Sequence, residues 1–143
     1  VWLYTLLLLA TGSQAQLVQW NQVAKKTAAG WEVHLTATIA DDWHIFSQQQ
    51  PPSGIGAPTK ITFQRNPLVS LLGAPDERGE LERYTDRDLG AESLIYHNTV
   101  TFVQRLHTKG LATTTLHGTI RYQACTNGEC LTPETIPIAI TLK

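Results

Sequence analysis

The chain runs to 143 residues with 11 basic and 12 acidic side chains and a formal net charge of −1. Near-neutrality without a basic patch gives no footing for nucleic acid, and no polybasic stretch is present to meet anionic lipid. With 42% hydrophobic residues, the length suits one domain built around a single core.

The first predicted element is a leader. Residues 1–10 are mostly apolar, and the small residues Ser13 and Ala15 follow, spaced as at a signal-peptidase site. Cleavage is expected after Ala15, so residues 1–15 read as a signal peptide clipped at its start, without a basic n-region or an initiator Met. The run is too short to span a bilayer comfortably. A buried N-terminal strand or helix is the alternative. Residues 16–143 then form the folded domain, and export permits it a disulfide.

Beyond the leader the hydrophobic period is two almost everywhere. A strand is expected over residues 17–23. In residues 31–39, Trp31, Val33, Leu35, Ala37 and Ile39 alternate with Glu32, His34, Thr36 and Thr38, which marks a half-buried strand. Shorter strands are expected at 43–47, at 59–64 through Ile61 and Phe63, and at 68–72. Val100, Phe102 and Leu106 share a face of 99–106; Leu116, Ile120, Tyr122 and Ala124 share one of 116–124. Ile136, Ile138, Ile140 and Leu142 close the chain, and Pro137, which has no N–H to give a ladder, places that strand at an edge or leaves it paired on one side. Ala29-Gly30, Asp41-Asp42 and Lys109-Gly110 read as turns. Seven or eight short strands without a capped 3.6 period predict an all-β, single-domain antiparallel β-sandwich.

Two segments break the alternation. Residues 48–58, Gln-rich and then Pro- and Gly-rich, read as a loop. Residues 76–88 carry nine charged side chains in thirteen and read as a solvated loop, of a length at which lids occur.

The chemistry concentrates in Tyr122-Gln123-Ala124-Cys125-Thr126-Asn127-Gly128-Glu129-Cys130-Leu131-Thr132-Pro133-Glu134-Thr135, which holds both cysteines of the chain. Asn127-Gly128 is a strong turn signal, so Cys125 and Cys130 flank a hairpin-like turn about where their Cβ atoms could approach bonding distance. A bond closing about six residues constrains the unfolded chain by only ~2 kcal/mol before strain is subtracted. Such a pair is a weak staple but an accessible redox couple. Thiol reactivity follows the thiolate fraction. Glu129 and Glu134 disfavour a thiolate, and the nearest cation is Arg121, so unactivated thiols are expected, with a partner aligning the sulfurs. His44 and Phe46 share a strand face that can approach the pair, His44 as a candidate proton acceptor or as a plain packing histidine.

The residues leave rivals open. One is a structural disulfide in an exported module that binds carbohydrate or protein, with Trp20, Trp31 or Trp43 as its aromatic surface; Trp31 falls on an apolar face, which suits core packing better. Another is a metal site of Cys125, Cys130 and a histidine. The spacing lacks a zinc pattern, no Met completes a copper set, and His34, His44, His97, His107 and His117 are scattered. Neither metal nor cofactor is therefore expected. A Ser-His-Asp hydrolase has no supporting motif.

The run Tyr122-Gln123-Ala124-Cys125, Cys130, Pro133-Glu134-Thr135 resembles the N-terminal periplasmic domain of the reductant conductor DsbD. Asp41-Asp42-Trp43-His44-Ile45-Phe46-Ser47 and Ser93-Leu94-Ile95-Tyr96 are similar to further segments of that family, and the likeness extends over about residues 17–142. The resemblance implies an immunoglobulin-like antiparallel β-sandwich in the periplasm of a Gram-negative-type envelope. It implies a thiol:disulfide oxidoreductase (a protein-disulfide reductase) with Cys125 and Cys130 as its catalytic pair. Cys130 would attack the acceptor disulfide and Cys125 would resolve it. The implied donor is a thioredoxin-like domain, in cis in a longer protein or in trans. The implied acceptors are periplasmic disulfide isomerases or cytochrome-maturation thioredoxins, with no nucleic acid and no membrane insertion by the domain itself. The family also carries a cap loop over the pair. Residues 86–90 align with it through Asp86, Asp88 and Leu89, with Tyr84 just upstream. Four residues separate the cysteines here, where the best-known relatives have five.

Overall fold

In a computed structural model, residues 17–110 and 113–143 are described; the expected signal peptide lies outside them. Ten strands and no helix occur among the described residues. In chain order they are β1 (Val18–Thr27), β2 (Gly30–Ile39), β3 (Ile45–Phe46), β4 (Lys60–Phe63), β5 (Val69–Gly79), β6 (Glu82–Asp86), β7 (Ala91–Tyr96), β8 (Thr99–Thr108), β9 (Thr114–Tyr122) and β10 (Glu134–Leu142). Every named pairing is antiparallel. The first sheet has the order β1-β2-β8-β5 and the second β10-β9-β4. A small third sheet, β3-β7-β6, contributes lining from all three of its strands to the site described below.

The alternation read from the sequence is the device that closes the sandwich. Val33, Leu35, Ala37 and Ile39 of β2, with Val100, Phe102 and Leu106 of β8, pack in one core against Leu116, Ile120 and Tyr122 of β9 and Ile138, Ile140 and Leu142 of β10. A slip of one residue in any of these strands would turn its apolar set to water, so burial on one face sets the register. Trp20 from β1 seals one flank, its ring 5.9 Å from Phe102 and 5.4 Å from Tyr122. Pro137 sits as its chemistry requires, in β10, which lies at the edge of its sheet with β9 as its ladder partner. On the open side, the Gln22 carboxamide donates to the Pro137 carbonyl at 2.9 Å and accepts from the Ala139 N–H at 3.2 Å.

The structure corrects the reading of residues 76–88 as a loop. Asp76–Gly79 continue β5, and Glu82–Asp86 form β6. The strand expected at 68–72 therefore runs on to Gly79, past an irregularity between Leu72 and Asp76 where the Gln104 side chain donates to the Gly73 carbonyl at 3.0 Å. β5 is an edge strand with mostly exposed side chains. Charge on an edge strand is compatible with its ladder and imitates a loop in composition. The strand expected at 43–47 shrinks to Ile45–Phe46, and residues 48–58 are irregular, as expected.

Candidate functional site

The site is built where β9 runs out. Past Tyr122 the chain continues extended through buried Ala124 and Cys125 and then reverses. The Thr126 hydroxyl accepts the N–H of Gly128 at 3.3 Å and that of Glu129 at 3.2 Å, and the Thr126 N–H donates to the Glu129 carbonyl at 2.8 Å. The Leu131 N–H returns to the Ala124 carbonyl at 3.0 Å. This turn brings the Cα atoms of Cys125 and Cys130 to 4.1 Å, and the two sulfurs are bonded.

On its other side Cys125 pairs with His44. The His44 N–H donates to the Cys125 carbonyl at 2.9 Å, and the Cys125 N–H donates to the His44 carbonyl at 3.0 Å. Directly opposed residues of an antiparallel pair project to the same face. The imidazole, the inner sulfur and the outer sulfur are thus lateral neighbours in one row. Their exposures differ sharply: Cys125 is 1% exposed, whereas Cys130 is open to solvent.

The row opens on a cavity of about 170 Å³. His44 and Phe46 form one wall, Tyr84 and Asp86 of β6 another, and the cysteine turn from Cys125 to Cys130 a third. The Tyr84 hydroxyl donates to the Asn127 carbonyl at 3.2 Å, which ties β6 to the cysteine turn, and its ring lies 5.7 Å from that of His44. Burial, and then the neighbouring His97, push His44 down to about 4, so the imidazole is neutral through the neutral pH range. His44 Nδ1 is buried without a hydrogen-bond partner. His97 packs edge-on against it, ring centroids 5.5 Å apart, with Nδ1 3.0 Å from the Trp43 carbonyl and Nε2 3.3 Å from Glu82 Oε2.

Of the residues singled out in the sequence, Cys125, Cys130, His44, Phe46, Tyr84 and Asp86 meet at this cavity. Asp88 and Leu89 do not line it. They sit in the β6–β7 turn, where Asp86 Oδ1 accepts the N–H of Asp88 at 3.0 Å and that of Leu89 at 3.2 Å, and the Leu89 side chain is 69% exposed. Glu134 is turned elsewhere, accepting the Tyr122 hydroxyl at 3.2 Å. Burial and that carboxylate hold the Tyr122 phenol above its usual range.

Other contributors have weaker signatures in the sequence. Gln123, a letter of the cysteine motif, is a bracket: its side chain accepts the Ala57 N–H at 2.7 Å and donates to the Leu131 carbonyl at 3.0 Å, fastening both flanks of the site. Ile55 and Ser93 complete the lining from a loop and from β7, and no local pattern marks either. Gly56 lies against the Phe46 ring so closely that a Cβ there would come within 2.1 Å of it, so only glycine lets the ring reach the cavity wall. Among the described residues no cluster of three His, Cys, Asp or Glu could hold a metal ion.

This arrangement can exchange disulfides. It offers an open sulfur to an incoming thiol or disulfide and keeps a second sulfur within bonding distance behind it.

Comparison with known proteins gives the fold its relatives. The family described as "Thiol:disulfide interchange protein DsbD, N-terminal" matches residues 13–141. The reduced form of the Neisseria meningitidis DsbD N-terminal domain superposes with a TM-score of 0.52 at 15% identity, covering 90% of this chain and 88% of that one. The N-terminal periplasmic domain of ScsB from Proteus mirabilis gives 0.54 at 15% identity, covering 88% of this chain and 46% of that one, so this chain spans under half the length of that structure. No curated protein sequence matches significantly. The shared architecture is the immunoglobulin-like antiparallel sandwich.

Proposed function

The chain belongs to the family of DsbD N-terminal domains, and from that premise we propose that it is a periplasmic thiol–disulfide exchange domain that passes reducing equivalents through Cys125 and Cys130. The observation that carries the reading is the asymmetry of a bonded local pair, with one sulfur open and the other buried behind it. In the reductive direction the Cys130 thiolate attacks an acceptor disulfide. One acceptor sulfur leaves as a thiolate and the other remains bonded to Cys130. Cys125 then attacks Cys130, the Cys125–Cys130 bond forms, and the second acceptor thiolate leaves. Two electrons and two protons have passed to the acceptor. Recharging is the reverse, with a donor dithiol attacking at Cys130. A thioredoxin-like domain suits the donor role and a disulfide isomerase or cytochrome-maturation thioredoxin the acceptor role, because each presents a dithiol or disulfide at an exposed position.

The reduction potential tests this reading. Equilibrated against glutathione or dithiothreitol buffers, the couple is expected between roughly −270 and −180 mV, the span from thioredoxin to the disulfide isomerases. A value below about −300 mV makes the bond a structural staple and returns the domain to the class of exported binding modules.

The β6–β7 hairpin, with Tyr84 at the cavity and Asp86, Asp88 and Leu89 in and around its turn, serves as the shield of the inner sulfur. Tyr84→Ala removes both the tether to Asn127 and the ring beside His44. Alkylation of reduced Cys125 by iodoacetamide, followed by mass spectrometry, is expected to accelerate by about threefold or more as the thiol gains access. An unchanged rate removes the shielding role.

A further inference from the structure

Exchange at this pair must move a proton that water cannot easily take. Cys125 is 1% exposed, and the resolving step needs its thiolate. Burial in apolar surroundings raises a thiol that has no partner. The charged groups lining the cavity are Asp86 and Glu129, both carboxylates that oppose a second anion. Neither Lys nor Arg lines it among the described residues.

His44 meets the need. Its backbone pairs with that of Cys125 through two hydrogen bonds, so the imidazole and the inner sulfur project from adjacent strands to one face, and both line the same cavity. Nδ1 is buried and has no hydrogen-bond partner. A buried polar atom left unsatisfied costs stability and calls for a reason. Other titratable groups pack around it: His97, ring centroid 5.5 Å away and paired with Glu82, and Tyr84, 5.7 Å away and bonded to Asn127. Those groups already have partners.

We propose, resting on the exchange reading above, that His44 is the proton acceptor for Cys125 in the step that resolves the mixed disulfide. The imidazole acts in the tautomer protonated at Nε2. The Cys125 thiol gives its proton to Nδ1, and the sulfur attacks Cys130 Sγ. The bond between Cys130 and the acceptor breaks as the Cys125–Cys130 bond forms. The electron pair leaves on the acceptor sulfur, which takes the proton back from the imidazolium. No proton is exchanged with solvent before the bond changes. Burial keeps the free imidazole neutral, so its lone pair is unoccupied before the thiol gives up its proton, and the transfer draws on the ion pair formed with the thiolate rather than on the basicity of the isolated ring. The thiolate formed beside it is the counter-charge that its cation otherwise lacks.

The test uses the full chain, reduced, desalted and mixed with 5,5′-dithiobis(2-nitrobenzoate). Attack by Cys130 releases one equivalent of the coloured thiolate, and resolution by Cys125 releases the second; a Cys125→Ser variant stops at the first and so assigns the phases. In the wild type the second phase is expected to vary little between about pH 5.5 and 7.5, because the proton moves internally. In His44→Gln the ratio of second-phase to first-phase rate is expected to fall about tenfold near pH 6.5, and the second phase to rise about tenfold per pH unit, as for an unassisted thiol below its ordinary value near 8.5. Equal ratios and profiles in the two proteins overturn the proposal. If His44→Gln does not fold, the wild-type profile decides alone: a flat second phase supports the assignment, and a tenfold rise per unit overturns it. Release of a single equivalent by the wild type is a different failure, because Cys125 then does not resolve the bond and the exchange reading itself falls.

Discussion

Cys130→Ser is expected to abolish reduction of an acceptor disulfide, while Cys125→Ser is expected to leave a stable covalent adduct between Cys130 and the acceptor. The two sulfurs differ in position rather than in kind. Cys130 is open to solvent and Cys125 is 1% exposed, so an incoming disulfide meets Cys130 first. Cys125 acts only once a mixed disulfide has formed beside it, and its Cα already lies 4.1 Å from that of Cys130. A thiol held in place behaves as though present at very high concentration, with effective molarities reaching about 10⁵ M in well-oriented cases. Removing Cys125 leaves resolution to thiols in solution, and the adduct should persist at least about 10³-fold longer. Non-reducing electrophoresis and intact-mass measurement with a purified thioredoxin-fold disulfide protein would show it. Equal activity of the two variants, or an adduct that accumulates on Cys125, would reverse the assignment.

Phe102→Ala is expected to destabilise the oxidised domain by about 3–5 kcal/mol, a large share of the roughly 5–15 kcal/mol that holds a typical domain together. Phe102 of β8 is fully buried, in register with Leu35 of β2 and packed against the tilted ring of Trp20. Its removal leaves a void that close-packed β2 and β9 side chains cannot fill without breaking their register. The midpoint of thermal unfolding should drop by roughly 10–20 °C. The reduction potential should stay within about 15 mV of the wild type, because the ring does not line the cysteine cavity. A potential that moves with stability would mean that core and site are coupled, and a midpoint that does not move would mean that the core collapses around the loss.

The strands that hold Phe102 were legible because each is half-buried. In β2, β9 and β10 the apolar residues fall on alternate positions, and the core receives that set. β5 and β6 were not legible, because an edge strand facing water has no apolar face to declare itself, and its charges imitate a loop. β7 was visible only through family resemblance; its inward set includes Ser93, which breaks the apolar alternation. In the site, the cysteine pair could be read because its geometry is local. Glu134 is close to Cys130 in sequence, yet it starts β10, whose register sends it to Tyr122. Ile55 reaches the cavity, and Gly56 the Phe46 ring, through a loop pinned by Gln50 and Gln123, whose side-chain bonds to Leu94 and Ala57 span forty-odd and sixty-odd residues. Contacts of that range leave no periodic trace.

The two hydrogen bonds that Gln22 makes with Pro137 and Ala139 have a consequence for self-association. A carboxamide has the same donor and acceptor as a peptide unit, so this side chain occupies the place where a foreign strand would begin to add to β10. Proline at 137 withdraws one further donor from that side. Addition of a second copy's strand to β10 along this flank is thereby disfavoured.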